Sequence, residues 1–254
     1  MNEHPRLEAR GIVKRYGHVT ALDGADFTVF DGEVVALIGD NGAGKSSLVK
    51  CLSGALTPDE GEILIAGAEV QLSSPEYART KGLETVYQDL ALAPHLSPAA
   101  NLYLGRELRR RGIMGRLGVL DEKEMRERAS LALEDLGIRL RDSRVSIETL
   151  SGGQKQAVAI ARAVMWASSV VFLDEPTAAL GVAQRTRVLD VIRRVRDAGR
   201  AVVLISHNMP EVLSVADRIE VLRLGRRVAR FRASDTSIEE LVGAMTGALA
   251  GESA

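Results

Sequence analysis

Residues 39–47 read Gly39-Asp40-Asn41-Gly42-Ala43-Gly44-Lys45-Ser46-Ser47. They fit the pattern G-x-x-x-x-G-K-[ST]. The apolar run Val34-Val35-Ala36-Leu37-Ile38 precedes them and predicts a buried strand, and Ser47-Leu48-Val49-Lys50-Cys51-Leu52 predicts a helix. Strand, glycine loop and helix is the context that this pattern needs. Gly39, Gly42 and Gly44 let the backbone curl, because glycine tolerates positive φ. Curled N–H groups at a helix N-terminus make a concave anion site, to which Asp40, Asn41, Ala43 and Ser47 add backbone. Lys45 is expected on the β- and γ-phosphates of a nucleotide, and the Ser46 hydroxyl on Mg²⁺. The bland alternative is a glycine-rich turn with a surface lysine, and the remainder of the chain argues against it.

The chain has 254 residues, enough for a large apolar core and one or two domains. Lys and Arg total 33 against 34 Asp and Glu, so no general electrostatic attraction to nucleic acid or anionic lipid is expected. The single cysteine, Cys51, excludes a disulfide within the chain and suits a reducing compartment. It is read as a packed apolar residue rather than a nucleophile. The segment Met1-Asn2-Glu3-His4-Pro5-Arg6 lacks the apolar core of a signal peptide, and no run reaches membrane-spanning length. Any work at a membrane then needs a partner that supplies the spans.

Along the chain, residues 7–14 and 24–29 predict short antiparallel strands. Tyr16 sits between them in a glycine-containing turn, either as a half-buried packing residue or as a platform for a nucleobase. Pro58-Asp59-Glu60-Gly61 predicts a turn, 62–65 a strand, and Ser74-Pro75-Glu76 the start of a short helix. Glu84-Thr85-Val86-Tyr87-Gln88 predicts a strand ending at Gln88. From 89 to 165 the pattern becomes helical, with a capping-box form at Asp121-Glu122-Lys123-Glu124 and an apolar face of Met125, Ala129, Ala132, Leu133 and Leu136. Arg109-Arg110-Arg111 is read as a solvated loop or helix end, with a contact to lipid headgroups or a partner as the alternative. Strands then alternate with helices at 170–173, 185–198 and 201–205, which implies a mainly parallel sheet. A hairpin over 219–231, a helix over 237–245 and a frayed tail from 247 complete the reading.

Three further pieces carry chemistry. Asp174-Glu175 follows the run Val170-Val171-Phe172-Leu173, at the strand end where parallel sheets bind ligands. Asp174 is expected to hold Mg²⁺, and Glu175 to act as general base on water. Two capping acids ahead of Pro176 are the plainer reading. Leu150-Ser151-Gly152-Gly153-Gln154 precedes a helix expected from Lys155 to Ala167, and makes a second anion site or an ordinary serine cap. His207 lies just beyond the strand 201–205, either as a structural histidine or as a group that senses the γ-phosphate and orients water.

Taken together and in this order, Tyr16, the loop 39–47, Gln88, Leu150 to Gln154, the run ending in Asp174-Glu175, and His207 closely resemble the ATP-binding subunit of an ABC (ATP-binding cassette) transporter. The resemblance covers roughly residues 7–247. It implies an α/β fold: a P-loop NTPase (RecA-like) core with a mainly parallel sheet, an N-terminal antiparallel β subdomain and an inserted helical subdomain. The core would comprise 1–88 and 166–246 and the helical subdomain 89–165, within one ATPase domain. It also implies that Tyr16 stacks on adenine and that Gln88 touches Mg²⁺ and couples to the membrane partner. Ser151, Gly152, Gly153 and Gln154 would close on ATP held by a second cassette, in a homodimer. The other implied partners are a transmembrane permease, on which the helical subdomain docks, and indirectly a secreted or periplasmic solute-binding protein. Location would be the cytoplasmic face of the inner membrane, through the permease.

Within that family, Glu84 to Leu92, Asn101 to Glu107 and Ile205-Ser206-His207-Asn208-Met209 look like the bacterial carbohydrate-uptake group, here with one phosphate loop and one signature. One departure stands out. After Glu175-Pro176-Thr177 the family usually has Ser-Ala-Leu-Asp, whereas this chain has Ala178-Ala179-Leu180-Gly181, with Gly181 in place of the aspartate. The resemblance puts that loop at the dimer seam. Competing readings are a soluble ATP-driven clamp in DNA repair or translation, and a regulatory subunit that binds ATP without turnover.

Overall fold

The computed structural model describes residues 4–138, 140, 144–178 and 180–248. In chain order, β1 (Leu7–Tyr16) and β2 (Val19–Val29) form a hairpin, and β3 (Val34–Ile38) leads into α1 (Lys45–Leu52). Next come β4 (Glu60–Ile65), β5 (Ala68–Glu69), α2 (Pro75–Thr80) and β6 (Leu83–Val86). A helical stretch follows with α3 (Pro98–Leu102), α4 (Ile113–Arg116), α5 (Glu122–Asp135) and α6 (Gly152–Trp166). The chain then continues through β7 (Val170–Asp174), α7 (Val182–Asp197), β8 (Ala201–Ile205), α8 (Met209–Val215), β9 (Arg218–Arg223), β10 (Arg226–Arg232) and α9 (Ile238–Thr246).

The central sheet has six strands in the order β10-β9-β3-β8-β7-β6, and all are parallel except the edge strand β10. A second, antiparallel sheet has the order β2-β1-β4-β5. The buried runs of β3, β7 and β8 follow from covering both faces of the central sheet, which removes the polar alternation of a half-exposed strand. Alternate residues serve alternate cores. Val34, Ala36, Val171, Leu173, Val202 and Leu204 face the layer built by α3, α5, α6, α7 and α8. Val35, Leu37, Val170, Phe172, Val203 and Ile205 face the antiparallel sheet and α1. Each Val, Leu, Ile or Phe among them contributes roughly 1.5–3 kcal/mol on full burial, which dominates the small differences in local propensity.

Charges lock the two sheets together. Glu220 is fully buried on β9 and is met by Arg218, Arg227 and Arg230, while Arg218 also donates to the carbonyl of Thr28 at 2.7 Å and pairs with Glu33 at 2.7 Å. A carboxylate without these partners would carry a desolvation cost of several kcal/mol.

Several boundaries differ from the sequence reading. β1 and β2 are longer than 7–14 and 24–29, because register shifts near Ala9, Ile12 and Lys14 break the alternation without ending the pairing. Glu60 and Gly61 belong to β4 rather than to a turn. β6 stops at Val86, which leaves Gln88 in a bend beyond the strand. At Asp121 only half of the capping box forms: its side chain accepts from the Glu124 N–H at 3.2 Å, while the Glu124 carboxylate pairs with Arg128 at 2.7 Å. Helix α6 begins at Gly152 and not at Lys155. Ala179 and the tail from 249 onward lie outside the described residues.

Candidate functional site

The glycine loop leaves β3 and enters α1 at Lys45. Gly39 has φ +152°, and a Cβ there would stand 2.2 Å from the Leu222 carbonyl oxygen of β9. Gly44 has φ +102°, and a Cβ would stand 2.6 Å from the Ala21 carbonyl oxygen of β2. These two glycines are required by close backbone approach as well as by φ. At Gly42, with φ +83°, an added Cβ would meet nothing within 4 Å. The turn between β9 and β10 braces the loop from outside: the Gly225 N–H donates to the Ala43 carbonyl at 3.0 Å, and the Asp23 N–H donates to the Gly225 carbonyl at 2.9 Å. Lys45 Nζ donates to the Gly39 carbonyl at 2.7 Å and to the Asp40 carbonyl at 3.0 Å. An ammonium has three donors, so one remains for a ligand while the other two hold the head over the loop. Burial pushes the Lys45 ammonium down from its ordinary value, and the charges of Glu175, Asp40 and Asp174 oppose that shift.

Asp174 ends β7, paired in register with Ile205 of β8. Burial pushes its carboxyl up, the Glu175 charge adds to this, and Lys45 and Lys50 oppose it. Glu175 follows in the left-handed region at φ 50°, held by its N–H to the Ile205 carbonyl at 2.9 Å. This conformation is uncommon for a residue with a side chain and turns the carboxylate away from the strand line. Its Oε1 lies 2.8 Å from Nδ1 of His207, beyond the end of β8. The structure therefore brings Lys45, Asp174, Glu175 and His207 to one end of the parallel sheet.

Tyr16 pairs with Val19 at the tip of the β1–β2 hairpin, is 48 % exposed, and lies a few residues from the Ala21 carbonyl that abuts Gly44. Gln88 lies just past β6, next to β7, and the chain beyond it is tied to α6: Arg162 donates to the Leu90 and Ala91 carbonyls at 2.9 and 2.7 Å. Ser46, Gln88 and Asp174 are hard oxygen donors of the kind Mg²⁺ takes, and the half-buried Asp174 carboxyl, destabilised as an anion, gains from a nearby cation. The chemistry of these three oxygen donors fits Mg²⁺.

Ser151 caps α6 with a reciprocal box: the Ser151 N–H donates to Gln154 Oε1 at 3.0 Å, and the Gln154 N–H donates to Ser151 Oγ at 3.4 Å. Cβ atoms on Gly152 and Gly153 would stand 3.3 Å from Leu180 Cδ2 and 2.9 Å from Gln184 Cβ. These glycines let α6 approach the start of α7 closely. The segment Ser151 to Gln154 thus packs against the start of α7.

Sequence reasoning missed the residues behind the pair. Thr177 and Asn208 both donate to the buried carboxylate of Glu211, which Arg185 also approaches. Their positions just after Glu175 and His207 were the available signal, but the contact spans 34 residues.

A family model described as ABC transporter matches residues 22–178. Over 250 residues the chain is 54 % identical to the fructose import ATP-binding protein FrcA of Rhizobium meliloti, a match covering 98 % of this chain and 96 % of that protein. It is 43 % identical to the xylose/arabinose import ATP-binding protein XylG of Sulfolobus acidocaldarius, covering 94 % and 93 %. Among solved structures, the ADP conformation of an ATP-binding cassette of an ABC transporter matches with a TM-score of 0.81 at 27 % identity, covering 96 % of this chain and 95 % of that one. The family model spans more than half of the sequence and the fructose-import relative nearly all of it, so the chain belongs to the ABC transporter family.

Proposed function

We propose that this chain is the ATP-hydrolysing subunit that powers import of a small solute, a sugar, through a separate membrane permease. The observation that carries the reading is the 2.8 Å contact of Glu175 with His207, at the same sheet end as Lys45. The loop 39–47 wraps the phosphates, Lys45 places its charge on the β- and γ-phosphates, and the exposed Tyr16 ring stacks on adenine. Ser46, Gln88 and Asp174 would hold Mg²⁺, which when bound would supply charge neutralisation to the phosphates. Glu175 takes the proton of the attacking water, and His207 holds the base in place while its exposed ring reaches the γ-phosphate.

Ser151, Gly152, Gly153 and Gln154 serve the site of a second copy, so the working unit is a head-to-tail homodimer. Residues 89–165 form the permease-facing subdomain, within a core of 1–88 and 166–246. Gln88 sits where the sheet edge meets that layer, and Arg162 ties the two, which supports a coupling role. Among the described residues no helix is long and apolar enough to cross a membrane, so the permease provides the path and the inner-membrane attachment. A solute-binding protein would feed that permease. Sugar rests on the fructose and xylose/arabinose import proteins. The same relatives weigh against the DNA-repair or translation clamp. The paired Glu175 and His207 weigh against a subunit without turnover.

The test is affinity purification from membranes with Mg²⁺-ATP hydrolysis measured on the recovered complex. Co-purification of a multi-span protein, and hydrolysis stimulated by one class of sugar with its binding protein, is the expected result. Recovery of nucleic acid or ribosomal material alone would favour the clamp.

A further inference from the structure

Glu211 lies outside the set of residues assigned above to nucleotide or metal. It sits in the first turn of α8 and is only 9 % exposed. Its two carboxylate oxygens are engaged from three separate segments. Oε2 accepts from Thr177 Oγ1, two residues after Glu175. Oε1 accepts from Asn208 Nδ2 at 2.9 Å, one residue after His207. Arg185 Nη1 of α7 lies 3.5 Å from the same oxygen, and Arg185 Nε donates to the Leu180 carbonyl at 2.7 Å.

We propose that Glu211 is a positioning residue for hydrolysis, whose carboxylate fixes the loop behind Glu175 against the turn behind His207. The proposal rests on the reading of Glu175 and His207 given above. The His207 ring is 71 % exposed, so little packing holds it, and its place depends on the Glu175 contact and on the backbone that carries it. That backbone is anchored at the next residue, where Asn208 caps α8 by accepting the Glu211 N–H at 3.3 Å while its amide is held by the Glu211 carboxylate. On the other side, Thr177 is 4 % exposed and its hydroxyl is bound to that same carboxylate. One group thus spans both halves of the 2.8 Å contact. A buried carboxylate is a costly way to fill space, but its several acceptor sites can fix three donors in direction. Arg185, bound to the Leu180 carbonyl, adds the segment just ahead of Gly181 to the same node.

The test uses the full chain with Glu211→Gln, Thr177→Val and Thr177→Ser, each alone and in the Glu175→Gln background. Mg²⁺-ATP hydrolysis gives kcat and KM, and a fluorescent ATP analogue gives Kd. A misplacement of about 1 Å at a reacting centre costs on the order of 10²-fold. Glu211→Gln and Thr177→Val are expected to lower kcat about 10- to 100-fold with Kd unchanged, and Thr177→Ser to retain the wild-type kcat. With Glu175→Gln already present, the further loss is expected to be much smaller than in the wild-type background, since both act mainly through that base. Wild-type kcat in Glu211→Gln and Thr177→Val overturns the proposal. So does an equal loss in the Glu175→Gln background, or a loss that tracks Kd. If Glu211→Gln does not fold, the Thr177 pair decides, because Val keeps the volume and Ser keeps the hydroxyl. A wild-type chain without any hydrolysis overturns the ATPase reading itself and this proposal with it.

Discussion

Nδ1 of His207 lies 2.8 Å from Oε1 of Glu175 while the two residues sit on different loops, one beyond β8 and one beyond β7. The strands place them: β7 and β8 are hydrogen-bonded neighbours in register from Val170 with Ala201 to Asp174 with Ile205. A histidine in this position can orient the carboxylate without itself being the base. His207→Ala is therefore expected to lower kcat by at least about 10-fold and leave ATP binding nearly unchanged, measured by steady-state hydrolysis and equilibrium binding. Equal losses in both would assign His207 to binding instead.

The phosphate loop separates a steric requirement from a charge requirement. Gly39→Ala drives a Cβ to 2.2 Å from the Leu222 carbonyl oxygen, a backbone atom that cannot swing away. Its expected outcome is loss of ATP binding together with a lowered melting temperature. Lys45→Ala removes a half-buried ammonium whose contacts are two loop carbonyls. It should abolish tight ATP binding while leaving the melting temperature of the nucleotide-free chain near that of the wild type. Thermal melts with and without Mg²⁺-ATP distinguish the two.

Asp174 is unfavourable as an ionised carboxylate in the folded, nucleotide-free chain. Its carboxyl is pushed up by burial first and by the Glu175 charge second. A folded-state value above the unfolded one means that the native state binds the proton more tightly. The nucleotide-free protein therefore loses stability as pH rises from the ordinary aspartate value of about 3.9 through the raised one. At neutral pH the ionised group opposes folding, so Asp174→Asn is expected to raise the melting temperature of the nucleotide-free chain and to remove Mg²⁺-dependent stabilisation by ATP. A lower melting temperature in nucleotide-free Asp174→Asn would reject this.

Much of this was legible in the sequence where a feature is local. The loop 39–47 and the buried strands β3, β7 and β8 follow from runs and spacings within a short stretch of chain. Cys51 is buried as read, and burial pushes its thiol up to about 11, which fits an inert packed residue. Where tertiary packing overrides propensity, the reading slipped. Gly152 and Gly153 argue locally against a helix, yet the Ser151–Gln154 box and the close approach to Leu180 and Gln184 start α6 there. The bulges in β1 hid its length. The contacts that tie Glu211 to Thr177 and Arg185 join residues distant in the chain, and no periodicity reports them.

Gly181 stands where the family usually has an aspartate. It is the N-cap of α7, with φ −72°, ψ 162° and no side-chain cap, and a Cβ added there would meet nothing within 4 Å. Gly181→Asp fits that backbone without strain and adds an acceptor at a helix N-terminus. It is expected to raise stability by a few tenths of a kcal/mol, read by chemical denaturation. A destabilised Gly181→Asp chain would show that the loop ahead of α7 does not tolerate a side chain.

Separating binding from chemistry at one atom decides whether Glu175 is the base of an ATP hydrolase. Glu175→Gln keeps size and hydrogen bonding but cannot accept the proton, and it removes a negative charge beside the γ-phosphate. The measurement is Mg²⁺-ATP turnover of wild type and Glu175→Gln alongside retained nucleotide after size-exclusion chromatography. Turnover should fall about 10²- to 10⁴-fold while ATP is retained, in a closed pair of cassettes. Wild-type turnover in Glu175→Gln, or loss of ATP retention with it, would contradict the assignment.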